Sequence, residues 1–257
     1  MRAGLSQVQL SERSGKDRAQ IARWERDVVT PSLETLRELL QVCGFDLEMQ
    51  LVLYEAPDAR HDERLNRALE RTPQERLVAM LDKRRQQHGL MPGEDAFDPY
   101  ALLQALERHR VTFIVIGALG RVLHGSDELT DGLDIVPSTR ENLRRLGLAI
   151  EELQARHRDG KPVVLERDLA GQPLLELETD AGELKIVPEP AGTRGYDDLR
   201  RRAEREPIGQ GLRPQVASVD DHARMLAVLG RDQDRLPLQT IQRVIELDRS
   251  LGRGIER

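Results

Sequence analysis

Two short helical segments separated by a glycine occupy residues 5–32, and they constrain the N-terminal fold more than any other feature of the sequence. Ser6 is the predicted N-cap of the first helix, because its hydroxyl can accept a hydrogen bond from a free amide of the first turn. Gly15 is predicted to end that helix, since glycine adopts the left-handed conformation at low steric cost. Asp17 is the predicted N-cap of the second helix. Residues 5–32 are therefore predicted to form a helical hairpin with a tight turn.

Both helices are predicted to have an inner and an outer face. On the first helix, Val8, Leu10 and Ser11 are expected to face inward. Ile21 and Trp24 lie three residues apart and so share the inner side of the second helix. Its outer side presents Arg18, Ala19, Gln20 and Arg23. A short, fixed helix that carries such groups outward meets the physical requirement for contacting base edges in a major groove. An ordinary amphipathic hairpin with a solvated face is the alternative interpretation.

These positions resemble the helix-turn-helix of the phage-repressor (XRE) family. The matching residues are Leu5-Ser6-Gln7, Leu10, Gly15, Ile21, Glu25, Pro31-Ser32 and Leu36. The resemblance implies that the second helix binds double-stranded DNA, with Arg18 and Arg23 on guanine edges. It also implies phosphate contacts by Gln7 and Arg26. The predicted DNA-binding residues are Gln7, Lys16, Arg18, Ala19, Gln20, Arg23 and Arg26.

The charge balance favours selective over non-specific DNA binding. The 257 residues carry a formal net charge of −6, which disfavours loose contacts along the phosphates. Residues 1–30 nevertheless hold six basic against four acidic side chains, so this end is locally positive. Cys43 is the single cysteine and cannot form an internal disulfide, and no apolar run approaches the ~20 residues of a membrane-spanning helix. The chain is predicted to be cytoplasmic, with no membrane partner.

Turn signals divide the chain into three predicted parts: a helix-turn-helix domain at 1–56, a helical linker region at 57–110 and a second domain at 111–257. Ser32 or Thr30 is the predicted N-cap of a further helix that ends near Gly44. Alternating apolar residues at 47–53 then predict a trailing strand. Because a lone strand needs a partner, pairing with the same strand of a second copy predicts a homodimer.

The rest of the chain alternates strand and helix signals. Residues 57–63 are a predicted linker, and Thr72 and Glu75 form a predicted capping box. Further predicted elements are a helix from Pro99, strands at 111–116 and 133–136, helices at 119–123 and from Ser138 to Ile150, a hairpin of 174–178 with 183–187, and helices at 196–203, 220–229 and 236–251. This order predicts an α/β domain with a mixed sheet. Together with the all-α N-terminal domain, it predicts an α+β multidomain chain.

Residues 111–245 resemble the nucleotidyltransferase-like fold, particularly the variety found in toxin–antitoxin and abortive-infection systems. The resemblance is carried by the runs at 116–136 (IGALGRVLHGSDELTDGLDIV), 178–199 (ETDAGELKIVPEPAGTRGYDDL) and 218–234 (SVDDHARMLAVLGRDQD). Active members of that family hold a phosphate at a glycine turn after the first strand. They hold two magnesium ions on three aspartates, two of which share one face of a strand.

The chain departs from this pattern at most of the positions that carry the chemistry. Ala118 follows Gly117 where the family has glycine or serine. Gly132 stands at the first metal-binding aspartate and Lys185 at the aspartate of the hairpin. Leu226 replaces a lysine that is common in the closing helix.

Only Asp134 keeps its matched place. Asp131 does not replace the missing aspartate, because residues three apart on a strand point to opposite faces. A site with one carboxylate binds magnesium poorly, so the domain is predicted to be inactive in nucleotidyl transfer, with no metal and no cofactor. The candidate ligand pocket of this inactive domain comprises Gly117, Ala118, Ser126, Asp134 and Lys185.

Other chemistry-bearing groups have simpler interpretations. His124 is expected to be a hydrogen-bonded structural histidine rather than a pocket residue. Glu176, Glu178 and Glu183 are expected to form the solvated face of the hairpin. Four arginines, at positions 200, 201, 202 and 205, are predicted to lie on one helix, either as a solvated face or as a phosphate contact.

The favoured function is a sequence-specific, DNA-binding transcriptional regulator. Its second domain is predicted to serve in dimerisation, ligand sensing or partner binding, with a nucleotide or a toxin as the candidate partner. One alternative is an active nucleotidyltransferase, in which Asp131, Asp134 and Glu183 rebuild a metal site and the N-terminal domain is an autoregulator. The other is an antitoxin that binds its toxin through residues 60–257.

Overall fold

The computed structural model describes residues 5–25, 29–47, 59–89, 97–138, 142–170 and 172–250. The chain divides into two compact units, Met1–Ala56 and Pro57–Arg257. The predicted helical linker region at 57–110 belongs to the same unit as the sheet that follows it.

The first unit consists of three short helices in its described part: α1 (Gln7–Ser14), α2 (Arg18–Glu25) and α3 (Leu33–Val42). Ser32 is the N-cap of α3, and its hydroxyl accepts a hydrogen bond from the Thr35 amide at 3.2 Å. Ile21 is the one fully buried side chain among the described residues of this unit. The unit therefore has a very small core that centres on α2.

The prediction that Val8 faces inward is wrong. Val8 is 43% exposed, whereas Gln7, Leu10, Ser11 and Ser14 are each partly buried. These four positions follow the i, i+3, i+4, i+7 spacing that defines one helix face, and Val8 lies outside that stripe. The trailing strand predicted at 47–53 falls, apart from its first residue, outside the described residues. The homodimer that depends on it stays a prediction.

The second unit begins with α4 (Ala59–Leu69), α5 (Pro73–His88) and α6 (Pro99–Arg108). The capping box at the start of α5 is confirmed: the Thr72 hydroxyl accepts from the Glu75 amide, and the Glu75 carboxylate accepts from the Thr72 amide. The linker predicted at 57–63 is wrong from residue 59 onward, because α4 buries Leu65 and Leu69 and so gains tertiary support.

A mixed six-stranded sheet forms the centre of this unit. Its strands, within the described residues, are β1 (Phe113–Ile116), β2 (Gly132–Pro137), β3 (Leu175–Thr179), β4 (Gly182–Ile186), β5 (Glu204–Arg205) and β6 (Gln215–Val216). They are arranged in the order β3-β4-β2-β1-β6-β5. The β2–β4 and β1–β6 pairs are parallel, and the other three pairs are antiparallel. The sequence pattern predicts β1 to β4 but not the two-residue strands β5 and β6.

The remaining helices are α7 (Gly117–Leu123), α8 (Leu143–Glu152), α9 (Leu165–Asp168), α10 (Tyr196–Leu199), α11 (Val219–Leu229) and α12 (Arg235–Ser250). Ser138 does not cap α8, because its amide donates to the Thr112 carbonyl and the N-cap is Asn142. The helix predicted at 196–203 ends at Leu199. The chain then turns and pairs Glu204 with Val216, so the four predicted helical arginines do not share a helix.

The two faces of the sheet pack against different helices. Val115, Ile135 and Ile186 lie on the face that packs against α5, α6, α7 and α8. Ile114 and Val136 point the other way, toward α10 and α11. A third apolar cluster joins α4, α11 and α12. Within the described ranges, no helix combines the length and apolarity needed to cross a membrane.

Candidate nucleic-acid interface

The turn between α1 and α2 is fixed by local hydrogen bonds. Ser6 and Gln9 form a reciprocal capping box at the start of α1, which confirms Ser6 as its N-cap. Gly15 has φ of 67° and ends α1 as predicted. The Ser11 hydroxyl then donates to the Lys16 carbonyl at 2.7 Å, and the Ser14 hydroxyl accepts from the Lys16 amide at 3.3 Å. These bonds determine the direction in which α2 begins.

Helix α2 presents the predicted outer face to solvent. Asp17 accepts a hydrogen bond from the Gln20 amide at 3.0 Å, as expected of an N-cap. Ile21 is 1% exposed and Trp24 is partly buried, so the inner face is anchored. The side chains at 18, 19, 20 and 23 are all exposed. The helix thus offers two guanidinium groups, an amide and a small side chain on one accessible surface.

Two other predicted contact residues are engaged within the unit. The Gln7 side-chain amide donates to the Glu25 carboxylate at 2.6 Å, which joins the start of α1 to the end of α2. Lys16 Nζ lies 2.7 Å from Glu38 Oε2 on α3. Both side chains therefore hold helices together, and a phosphate contact by either one would compete with these bonds. Arg26 lies outside the described residues.

The candidate ligand pocket of the second unit is built at the end of β1. Gly117 follows β1 with φ of 70°, and a Cβ atom at this position would overlap the carboxylate of Asp134. Asp134 lies opposite Ile116 in the antiparallel β1–β2 pair and opposite Lys185 in the parallel β2–β4 pair. The structure thus brings Gly117, Asp134 and Lys185 together. Ala118 comes directly after Gly117, in the first turn of α7, and is partly buried.

Lys185 supplies the positive charge of this group. Its Nζ lies 3.4 Å from Glu176 Oε1 and 3.4 Å from Glu183 Oε2. Burial tends to lower the pKa of Lys185, but the neighbouring Asp134, Glu183 and Glu176 raise it above its ordinary value. Burial raises the pKa of Asp134, and the positive charge of Lys185 opposes that shift. The ammonium group and its carboxylates therefore form a charge network of their own.

The residues present do not fit the magnesium ions that the family resemblance implies. A metal ion beside Asp134 would have to displace the Lys185 ammonium from its carboxylates, and like charges repel. A side chain at Gly132 has no room, because its Cβ would lie 2.7 Å from Glu183 Cβ and 2.8 Å from the Glu183 carbonyl oxygen. Asp131 is paired instead with the buried Arg84 of α5. Among the described residues, no group of three or more His, Cys, Asp or Glu side chains forms a metal-binding cluster.

Ser126 does not lie with Gly117, Asp134 and Lys185, which are called the Gly117 group below. It lines a separate cavity and donates from its hydroxyl to Glu128 at 2.8 Å. His124 is buried, and its Nε2 donates to the Ala217 carbonyl at 2.7 Å, which agrees with the structural role expected for it.

A second histidine, not among the predicted site residues, packs against His124. His222 of α11 is 1% exposed, and its ring centroid lies 5.6 Å from that of His124 in an edge-on arrangement. The sequence does indicate that His222 is buried, because Val219, His222 and Leu226 have the spacing of one inner helix face. Arg84, which holds Asp131, is not among the predicted site residues either.

We predict that Gly117→Ala destabilises the second unit by about 2–4 kcal/mol, since it adds both backbone strain and a clash with Asp134. Gly160→Ala is the matched control, because Gly160 has φ of 77° but nothing within 4 Å of the added atom. Urea denaturation gives the free energy of unfolding of both variants, and the difference between them separates the clash with Asp134 from the backbone strain. Equal losses in the two variants would show that Asp134 does not pack against Gly117.

Comparison with known families supports the interpretation of the N-terminal unit. A search of curated proteins found none that matches the chain. The family model described as helix-turn-helix matches residues 1–49, which include α1, α2 and α3. Residues 1–49 are therefore similar to known helix-turn-helix domains, which agrees with the fold expected for this part of the chain.

Proposed function

We propose that this protein is a sequence-specific, DNA-binding transcriptional regulator that reads the major groove with α2. The observation that carries the proposal is the exposed surface of Arg18, Ala19, Gln20 and Arg23 on a helix anchored by the buried Ile21. The helix-turn-helix match over residues 1–49 supports it independently. Guanidinium groups bind O6 and N7 of guanine in a bidentate manner, which gives Arg18 and Arg23 their role.

The charge distribution supports selective binding. With a net charge of −6, the whole chain gains little from loose contacts along DNA, so affinity depends on the few groups of the N-terminal unit. A cytoplasmic homodimer that binds two half-sites about one helical turn apart is part of this proposal.

For the second unit, we propose a nucleotidyltransferase-like domain that has lost its chemistry and serves in dimerisation, ligand sensing or partner binding. Support comes from the strand–glycine–helix element at Gly117 and from the adjacent strands that carry Asp134 and Lys185. The crowding at Gly132 and the ammonium of Lys185 argue against nucleotidyl transfer.

The DNA-binding proposal is tested by selecting binding sites from randomised duplexes with the full chain, followed by mobility-shift assays. Arg18→Ala and Arg23→Ala are each expected to weaken binding to the selected site by about 1–3 kcal/mol relative to random DNA. The control variants Arg235→Ala and Arg249→Ala remove the same charge from exposed positions of the second unit and should retain selectivity. Unchanged selectivity in both α2 variants would remove the reading role from this helix.

The loss of catalysis is tested by incubating the full chain with labelled nucleoside triphosphates, magnesium and total tRNA. We expect no label in protein or RNA, because Lys185 occupies the charge-balancing position beside Asp134. Asp134→Ala provides the comparison. Label incorporation that disappears in this variant would instead establish the active enzyme and leave the DNA-binding test unaffected.

A further inference from the structure

A cavity of about 200 Å³ lies in the second unit, away from the Gly117 group. It is bounded by α4, α5, the C-terminal end of α7 and the loop at 126–128. The fully buried Met80 and Val122 form its inner wall, with the partly buried Ala68 and Ala79 beside them. An enclosed apolar cavity of about 150 Å³ is enough to accept a benzene ring. The space therefore suits a small apolar group of that size.

Exposed cationic side chains surround the opening of this cavity. Arg67, Arg71 and Lys83 line it and are exposed to solvent. Arg67 Nε donates to the Glu63 carbonyl and Lys83 Nζ to the Asp127 carbonyl. In the part of the chain that the structure describes, none of these three cations forms an ion pair with a carboxylate, although the charge of Arg71 helps to lower the pKa of Glu75. Their charges are available to an anion that enters the cavity.

The two acidic residues of the lining are already neutralised. Asp127 accepts from Arg64 Nε at 2.8 Å. Glu128 accepts both Arg121 Nε at 2.8 Å and Arg121 Nη2 at 2.7 Å, together with the Ser126 hydroxyl. Neither carboxylate can balance the cations at the opening, so the cavity retains an excess of positive charge.

Arg76 adds a buried positive charge to the same lining. Its guanidinium donates to the backbone carbonyls of Ala68, Leu69 and Leu123, which lie near the C-terminal ends of α4 and α7. Carbonyl groups at helix ends are satisfied in this way, so the position of Arg76 is fixed by the fold. Burial lowers the pKa of Arg76, and the charges of Glu206 and Asp248 oppose that shift, so the arginine remains charged at neutral pH and is partly balanced from outside the lining.

We propose that this cavity binds a small organic anion: a ring-sized apolar group against Met80 and Val122, with a carboxylate at the opening against Arg67, Arg71 and Lys83. Inorganic anions fit less well, because they leave the apolar wall uncovered. Neutral ring compounds fit less well, because they leave the cations unpaired. This binding site goes beyond the proposed DNA-binding function and does not depend on it.

Isothermal titration calorimetry on the full chain, without DNA, provides the test. Benzoate is the probe, and saturable binding with a dissociation constant of about 1 mM or tighter is expected. Benzamide keeps the ring without the charge, while acetate and inorganic phosphate keep the charge without the ring. Each of the three is expected to bind at least about ten-fold more weakly than benzoate. Absence of benzoate binding, or phosphate binding of equal strength, would overturn the proposal.

Variants locate the bound probe. Arg67→Gln and Arg71→Gln are each expected to weaken benzoate binding several-fold, and Ala79→Leu is expected to abolish it by filling the cavity while leaving every charge in place. Arg249→Gln removes an exposed arginine elsewhere in the same unit and should have no effect. Circular dichroism establishes that each variant is folded, and the two arginine variants decide the result if Ala79→Leu is not. Benzoate binding that survives both arginine substitutions would place the probe elsewhere.

Discussion

Replacing Ile21 with alanine is expected to unfold the N-terminal unit and abolish DNA binding, while the second unit stays folded. Truncating a buried isoleucine to alanine costs about 2–5 kcal/mol. A unit of the size of Met1–Ala56 has a total stability of about 3–8 kcal/mol. Ile21 is the fully buried side chain among its described residues, so no second buried contact there compensates for the loss. Hydrogen exchange on the full chain measures the effect, as lost amide protection in α1, α2 and α3 with retained protection in β1, β2 and β4.

Val8→Ala is the matched control for this substitution. Val8 is another aliphatic residue in the same unit but is 43% exposed, so its truncation should change stability by less than about 0.5 kcal/mol. DNA affinity should follow hydrogen exchange in both variants. If Ile21→Ala kept its amide protection and its affinity, α2 would be anchored by something other than the packing described here.

The second large effect is a loss of stability of the second unit in mild acid. His124 and His222 are both buried, and each ring uses its single N–H to donate to a backbone carbonyl, of Ala217 and Ser218 respectively. Burial, together with the nearby charge of Arg76, lowers the pKa of His124 from 6.5 to about 4. Burial and the neighbouring ring likewise lower the pKa of His222 well below its ordinary value.

The sign of the change in stability with pH follows from where the histidines bind protons. Below pH 6.5 the histidines of the unfolded chain take up protons, whereas His124 in the folded chain stays neutral until about pH 4. Stability is therefore fully present above pH 6.5 and falls as the pH decreases toward 4. The loss from His124 alone reaches about 3 kcal/mol. Burial also raises the pKa of Asp134 and of Glu206, so the contribution of His124 is identified by comparison with a variant that lacks this ring.

Urea denaturation at pH 7.5, 6 and 5 measures this dependence. His124→Gln keeps a donor toward the Ala217 carbonyl but removes the titrating ring, so its slope of stability against pH should be smaller by about 1.4 kcal/mol per pH unit. His88→Gln, at an exposed histidine near the end of α5, is the matched control for the same substitution. Nuclear magnetic resonance of the wild-type rings gives a second readout. Protonation of His124 at pH 6 would contradict the prediction without any variant.

Several features of the fold could be predicted from the sequence because they depend on residues that are close together in the chain. The capping boxes at Ser6 and Thr72, and the left-handed Gly15, depend on residues a few positions apart. The exposed face of α2 follows from helix periodicity around Ile21. Asp131 does not replace the missing aspartate, as expected, although the reason differs: it lies just before β2 rather than on it, and it pairs with Arg84.

Other features depend on contacts between distant parts of the chain. The short strands β5 and β6 exist because Glu204 pairs with Val216 and because β6 adds to β1, which no local pattern indicates. For the same reason the helix predicted at 196–203 ends after one turn. The engagement of Gln7 with Glu25 is also decided by packing, since 18 positions separate the two residues.

The sequence by itself determined the helix-turn-helix, the four main strands of the sheet and the replacements at Gly132 and Lys185, because each depends on periodicity, capping or residue identity. The tertiary structure alone decided that Glu183 excludes a side chain at Gly132, that His124 meets His222, and that a charged cavity opens between α4, α5 and α7. These features arise where elements far apart in the chain pack together, and the free energy of such packing depends on neighbours that no stretch of sequence contains.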